Sequence, residues 1–220
     1  MSQPAFSPKE YDQKIQSVLP YYQEFYRQVV DTVKVLDYPS LSWLDLGCGT
    51  GKMGEAAFSA FAPKRFVFWV QSPEMIAIAK SRFADANAQF VTASLLDLHC
   101  REEFNVITAI QVNHYLPPEE RRKAIANVYQ ALQPGGIFFT FENFAPNSRT
   151  GQQLALKRWG AYQVAQGRSA QQVKGHLARY DKDYFPISLS AHLQLLQDCG
   201  FPTAELLWLS YLQVGLFGIK

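Results

Sequence analysis

The sequence predicts an α/β domain built on a mostly parallel, seven-stranded sheet. Two patterns carry that expectation: short apolar runs alternate with amphipathic helical stretches through residues 41–142, and the first run ends in a glycine-rich turn. A third pattern is a tail of two consecutive apolar runs with no helix between them, which predicts an antiparallel hairpin at one sheet edge. Such alternation means βαβ units, whose right-handed crossovers put helices on both faces of the sheet.

Pro4 and Pro8 give an irregular start. Residues 9–36 then read as helix broken near Pro20, with Tyr22, Phe25, Tyr26, Val29, Val33 and Leu36 on one apolar face. Residues 1–40 therefore form an N-terminal helical cap. The strands follow as "LSWLDL" (41–46), "RFVFWV" (65–70), "QFVTA" (89–93), "FNVITAI" (104–110) and "GIFFTFE" (136–142). Between them, "SPEMIAIAKSRF" gathers Met75, Ile76, Ala79 and Phe83 on one face, with Pro73 in the first turn. "PPEERRKAIANVYQAL" does the same with Ile125, Val128, Tyr129 and Leu132, and Pro134-Gly135-Gly136 ends that helix. Residues 144–187 interrupt the alternation. Ala170, Val173, Leu177 and Tyr180 recur at helical spacing, so the segment reads as a helical insert or lid before the last helix, "SAHLQLLQDCG". His176 and His192 read as exposed helix positions. The tail, "TAELLWLSYLQVGLFGIK" (203–220), supplies the hairpin, and residues 1–220 read as one domain.

Composition narrows the function classes. Apolar residues make up 48% of the chain, enough for a full core. A formal net charge of +2 makes no global case for nucleic acid. The insert holds seven basic residues against two acidic ones, so it carries +5 and the remainder −3. It reads either as a solvated helical face or as a lid that favours an anionic substrate. Cys48, Cys100 and Cys199 are odd in number and widely spaced, without a CxxC pair, which argues against zinc or a disulfide framework. That usage fits a reducing, cytoplasmic setting. No run approaches the roughly 20 apolar residues of a membrane span, and the N-terminus has no signal-like apolar core.

The strongest chemical signal is "LDLGCGTGKMG". Gly47, Gly49 and Gly51 follow a buried strand and open a helix, so the backbone can turn sharply and approach a ligand. The helix N-terminus behind them favours a carboxylate or phosphate. Asp45 either holds the loop by accepting backbone N–H bonds or meets a cationic ligand group. Cys48 reads as a small residue whose backbone matters more than its thiol. "GTGKMG" (49–54) formally matches the dinucleotide pattern GxGxxG, but its first glycine falls too late after a strand that ends at Leu46.

"LDLGCGTG" resembles the cofactor loop of class I S-adenosylmethionine (SAM) dependent methyltransferases, a Rossmann-like family. "SPEMIAIAKSRF" is similar to the family's second helix and "FNVITAIQVNHYL" to its fourth strand and following loop. "ALQPGGIFFTFE" resembles its turn into the fifth strand, and the closing hairpin its reversed edge strand. "YDQKIQSVLPYYQEFY" resembles the N-terminal helices of small-molecule members. The resemblance implies SAM as cofactor, S-adenosylhomocysteine as product, and a small-molecule acceptor methylated by in-line displacement. It implies no nucleic-acid partner: no "N-P-P-Y" stretch follows the fourth strand, and no phosphate-tracking basic stripe is present.

One family feature is missing. The ribose-binding acid should lie two residues before Ser72, where this chain has Val70. Three readings stay open: Gln71 or Ser72 takes over the ribose contact, the pocket takes a changed cofactor or another ligand, or SAM binding is lost. Ser94 stands where an acid usually meets the adenine, with Leu95 and Met75 implied as further cofactor contacts; Asp97 reads as a cap residue. The resemblance places Gln111 beside the methionine part and lets Tyr11, on the first helix, meet its carboxylate. His114 reads as a catalytic base or as a loop histidine bonded to backbone, and Glu142 with Asn143 as candidates to meet substrate. Trp159 and Tyr162 read as core or as walls of the substrate pocket.

Overall fold

The computed structural model describes residues 6–220, so the irregular start at Pro4 lies outside the described residues. Seven strands form one sheet: β1 (Ser42–Leu46), β2 (Arg65–Trp69), β3 (Ala88–Val91), β4 (Phe104–Ile110), β5 (Leu132–Asn143), β6 (Thr203–Ser210) and β7 (Gln213–Ile219). Their order is β3-β2-β1-β4-β5-β7-β6. The first five pair in parallel, and β7 runs antiparallel to both β5 and β6. The fold class is therefore the one predicted, with the later strand of the hairpin on its inner side.

Side chains alternate across each strand, which splits the core in two. Trp43, Phe66, Val106 and Phe139 point to one face; Leu44, Val67, Ile107 and Phe138 point to the other. The first face is covered by α2 (Tyr22–Lys34), α3 (Lys52–Ala60) and α4 (Pro73–Arg82), the second by α5 (Pro118–Ala131) and α8 (Leu189–Asp198). Phe25 of α2 stacks on Phe141 at 5.0 Å between ring centroids and meets Trp208 edge-on at 5.3 Å. α3 can lie close to the sheet because Gly54 has no Cβ: one added there would sit 2.4 Å from Phe68 Cζ. The last glycine of "GTGKMG" thus serves packing.

The insert is helical, with α6 (Arg149–Ala165) and α7 (Ala170–Leu177). Ser72, Ser148, Ser169 and Ser188 cap α4, α6, α7 and α8 by accepting a backbone N–H three residues on. The insert clamps the chain that follows α1 (Pro8–Lys14). Trp159 Nε1 donates to the Val18 carbonyl at 2.6 Å and the Tyr162 hydroxyl to that of Gln16 at 2.8 Å. Among the described residues, no helix is long and apolar enough to cross a membrane.

Four local expectations change. β3 spans Ala88–Val91 and ends early, because Ser94 and Asp97 form a capping box around the 3-10 turn Leu95–Asp97. The helix before β5 ends at Ala131, not at the glycine pair: Leu132 already pairs with Phe104, and Gly135 at φ 75° lies in the irregularity before Ile137 meets Val106. Tyr180 lies beyond the end of α7 and bridges to Tyr184. His176 and His192 are buried, not exposed, at 9% and 4% of their accessible surface. His176 packs edge-on against Trp159, and burial pushes the imidazole of His192 down to about 4.

Candidate active site

In an open α/β sheet, ligands sit beyond the strands' C-terminal ends, where the strand order reverses. Here that point lies between β1 and β4, the neighbours from which the chain winds in opposite directions. Leu46 ends β1, and Gly47, Gly49 and Gly51 follow with φ of 65°, 54° and 92°. A Cβ at Gly47 would lie 2.4 Å from Val112 Cγ2, so close approach as well as dihedral requires glycine there. Gly47 and Cys48 both donate their N–H groups to the Trp69 carbonyl, at 2.7 and 3.2 Å. The end of β2, not Asp45, therefore holds the loop.

Asp45 is buried, at 2% exposure. Thr108 donates to its Oδ1 at 2.8 Å, and Trp43 Nε1 donates to Thr108 at 3.1 Å. Its Oδ2 has no hydrogen-bond partner among the described residues. Burial pushes this carboxyl up to about 7, against the pull of Thr108. An acid with one free, dry oxygen beside a glycine loop suits a cationic group far better than it suits loop holding. Asp45, Gly47, Cys48 and Gly49 line one cavity, roofed by Tyr11 and Tyr22.

That cavity holds only about 30 Å³. Small-molecule sites need roughly 300 Å³ or more, so the roof has to move to admit a nucleoside. α1 is the roof, and Asp12 latches it. Thr50, next to the glycine loop, donates to Asp12 Oδ1 at 2.6 Å; Arg82 Nη2 of α4 bonds Oδ2 at 2.6 Å. Burial alone would raise the Asp12 carboxyl, but Thr50 and Arg82 outweigh it and hold it below its ordinary value. Asp12→Ala is expected to release α1: trypsin cleavage after Lys9 and Lys14 should speed up roughly tenfold, since each charge-assisted bond contributes about 1.5–3 kcal/mol before solvent screening. Unchanged cleavage would show that Asp12 does not hold the roof.

The acceptor side is built from β4 and β5. Gln111 leaves β4 at φ 59° and is tied to the Phe141 carbonyl by its backbone N–H at 2.7 Å and its side chain at 3.3 Å. His114 and Glu142 are brought together, both fully out of solvent. Glu142 accepts from the His114 backbone at 2.8 Å, the Asn113 backbone at 3.3 Å and the Thr140 hydroxyl, and its carboxylate lies 2.7 Å from His114 Nδ1. Burial would raise this carboxyl, but the bonds from His114 and Thr140 hold it below its ordinary value. With Nδ1 facing a carboxylate, Nε2 carries the lone pair, which accepts from the Asn143 side-chain amide at 3.4 Å. Tyr115 and Tyr184 pack on the ring at 4.4 and 5.7 Å.

Arg121 was not legible in the sequence as a site residue. It is buried, and it donates to the carbonyls of Asn113 at 3.0 Å, Leu116 at 3.3 Å and Phe185, binding the loop after β4 to the end of the insert. A charge inside an amphipathic helix reads as solvated; only the facing carbonyls reveal otherwise.

The Trp69 Nε1 bond to the Ser94 carbonyl at 3.0 Å ties the end of β2, which Val70, Gln71 and Ser72 follow, to the turn after β3 that holds Ser94 and Leu95. Val70 is half-buried and donates its N–H to the Val91 carbonyl at 3.1 Å, whereas Gln71 is exposed. Ser72 already accepts from Met75 N at 3.3 Å and Ser94 from Leu96 N at 3.2 Å, which leaves each hydroxyl a proton and one lone pair. Met75 and Leu95 are buried.

Comparison with known proteins agrees with this layout. Residues 44–136 match a family model described as a methyltransferase domain. A carboxy-S-adenosyl-L-methionine synthase of Helicobacter hepaticus is 25% identical over 210 residues, which cover 91% of this chain and 87% of that one. One from Trichlorobacter lovleyi is 27% identical over 188 residues, covering 83% and 77%. Human N-acetylserotonin methyltransferase, solved in complex with SAM, superposes with a TM-score of 0.66 at 16% identity, over 97% of this chain and 56% of that one, and shares the fold. Glycine loop, strand order and matched segment agree: residues 44–136 match a methyltransferase domain, and the chain has the Rossmann-like fold of the solved methyltransferases it resembles.

Proposed function

We propose that the protein transfers the methyl group of SAM to a small-molecule acceptor and releases S-adenosylhomocysteine. The observation that carries this reading is the unpartnered Asp45 Oδ2 beside the glycine loop, a dry anionic atom suited to the ammonium of the methionine moiety. SAM supplies an electrophilic methyl on a sulfonium, so no covalent enzyme nucleophile is needed. The backbone at Gly47 and Gly49 gives room for close approach. Gln71 and Ser72 take the ribose hydroxyls, and Ser94, Leu95 and Met75 border the adenine. Gln111 shapes the methionine end, and Tyr11 closes over it with α1. Together the roof and the loop exclude water and fix the line of attack. His114 Nε2 is the base for an acceptor that must lose a proton, and Glu142 is the positioning residue that fixes its tautomer.

Val70 tests the cofactor reading. Titration calorimetry with SAM, S-adenosylhomocysteine and NAD is expected to show SAM binding that Val70→Asp tightens at least several-fold. A carboxylate there adds charged bonds worth about 1.5–3 kcal/mol each. No SAM binding to either form would refute the proposal and favour a methyltransferase fold with another ligand. Unchanged affinity in the variant would refute the assignment of Val70 to the ribose position.

A second reading has its own support. The Helicobacter and Trichlorobacter relatives are named for making a carboxylated SAM. This chain would then modify SAM itself. Mass spectrometry of the nucleoside product separates the two: S-adenosylhomocysteine marks methyl transfer, and a nucleoside heavier than SAM marks the synthase reading.

A further inference from the structure

A second, larger cavity lies between α1 and the helical insert. It holds about 580 Å³ and opens to solvent. Lys14, Arg168, His176 and Arg179 contribute to its walls, and among the described residues no acidic side chain lines it. Lys14 is paired with Glu10, and Arg179 Nε lies 2.7 Å from Asp183. Arg168 differs. Its Nη2 donates to the Gln172 carbonyl at 3.4 Å, its guanidinium lies 5.3 Å from the Phe6 ring centre, and its buried Nε has no hydrogen-bond partner among the described residues. Residues 1–5 contain no acidic side chain that could neutralise it.

His176 is the second observation. It is nine-tenths buried, its Nδ1 also lacks a partner among the described residues, and it lines the same cavity. Burial, with the charges of Arg168 and Arg179 added, pushes its imidazole down to about 3. The ring is therefore neutral at physiological pH, and one nitrogen can donate while the cavity stays positive. The half-buried guanidinium of Arg168 has no acidic partner among the described residues, and a planar two-oxygen anion matches its fork of donors.

We propose that this cavity is a binding site for an oxyanion, the carboxylate or phosphate of a small molecule, with Arg168 as its main ligand and His176 and Lys14 completing the donor set. The surplus of +5 in the insert then has a specific use. The inference does not rest on the cofactor reading, and its test contains no SAM.

The whole chain is titrated with sodium phosphate, and separately with sodium malonate, at constant ionic strength set by sodium chloride. Imidazole signals are followed by NMR. At least one of the two anions is expected to shift the His176 signal saturably and to raise the pH at which that ring titrates. Arg168→Gln should weaken the effect at least tenfold. Lys14→Gln, a change on an exposed side chain, should weaken it a few-fold and guards against misfolding of the first variant. Equal shifts with chloride alone, no saturation with either anion, or full affinity in Arg168→Gln would each overturn the proposal. Saturation by malonate but not phosphate identifies a carboxylate ligand, and the reverse a phosphate.

Discussion

Replacing Asp45 by asparagine is expected to raise stability at pH 8 and to weaken SAM binding in the same molecule. Asp45 is ionised with difficulty: burial lifts it from 3.8 to about 7. Its folded pKa lies above its unfolded one, so the stability it contributes is fully present below the unfolded value and lost as pH rises towards 7. Removing that burden should return on the order of 2–4 kcal/mol at pH 8, less the cost of a buried amide. In a chain of this size that corresponds to a melting temperature higher by roughly 4–16 °C. On the proposed assignment the ammonium of SAM meets the ionised form of Asp45, so wild-type affinity should climb with pH and level off above about 7, with a proton released on binding at lower pH. The variant should lose that dependence and bind roughly tenfold to a hundredfold more weakly. Calorimetric titrations from pH 5.5 to 8 in buffers of different ionisation heat would measure both. A variant that binds SAM as wild type does would place the ammonium elsewhere.

The second large effect is expected at Glu142. Glu142→Leu leaves two backbone N–H groups, the Thr140 hydroxyl and His114 Nδ1 facing an apolar side chain out of solvent. Each stranded group costs about 1–3 kcal/mol, so a loss of at least ~3 kcal/mol and a melting temperature lower by about 6–12 °C are expected. Glu142→Gln keeps the shape and part of the acceptor set, and should recover a good part of the loss. The pH dependence has the opposite sign to that of Asp45. Glu142 is held below its ordinary value, so its contribution is present above the unfolded pKa and disappears as pH falls through the folded one. Thermal melts of both Glu142 variants across pH 3–8 check this. A Glu142→Leu protein as stable as wild type would mean that the four donors find other partners.

The succession of strands, the hairpin and the glycine loop were readable because each is written locally: apolar runs at strand length, glycines directly after a strand, a tail without a helix. The meeting of His114 and Glu142 was readable only as two strand ends at the same side of the sheet. Its details depend on partners about 28 residues apart, such as Asn113 and Thr140, whose polarity looks unremarkable in isolation. The latch at Asp12 was hidden for the same reason, since its partners Thr50 and Arg82 lie 38 and 70 positions away. His176 and His192 misled because helical spacing shows which residues share a face, but not that the insert folds His176 onto Trp159 or that α8 buries His192. Whether Val70 is the missing ribose acid rests on β2 ending at Trp69, and the Val70→Asp titration decides it.

The place of β7 between β5 and β6 bears on how the chain matures on the ribosome. β5 is complete at residue 143, but the strand that covers its edge begins only at Gln213. At roughly 5–20 residues per second, the outer edge of β5 stays unpaired for several seconds of translation. An open edge of that kind recruits strands from other chains. Nascent chains released or stalled between α6 and β6 should therefore be the species most prone to aggregate, while those that reach β7 close their own sheet.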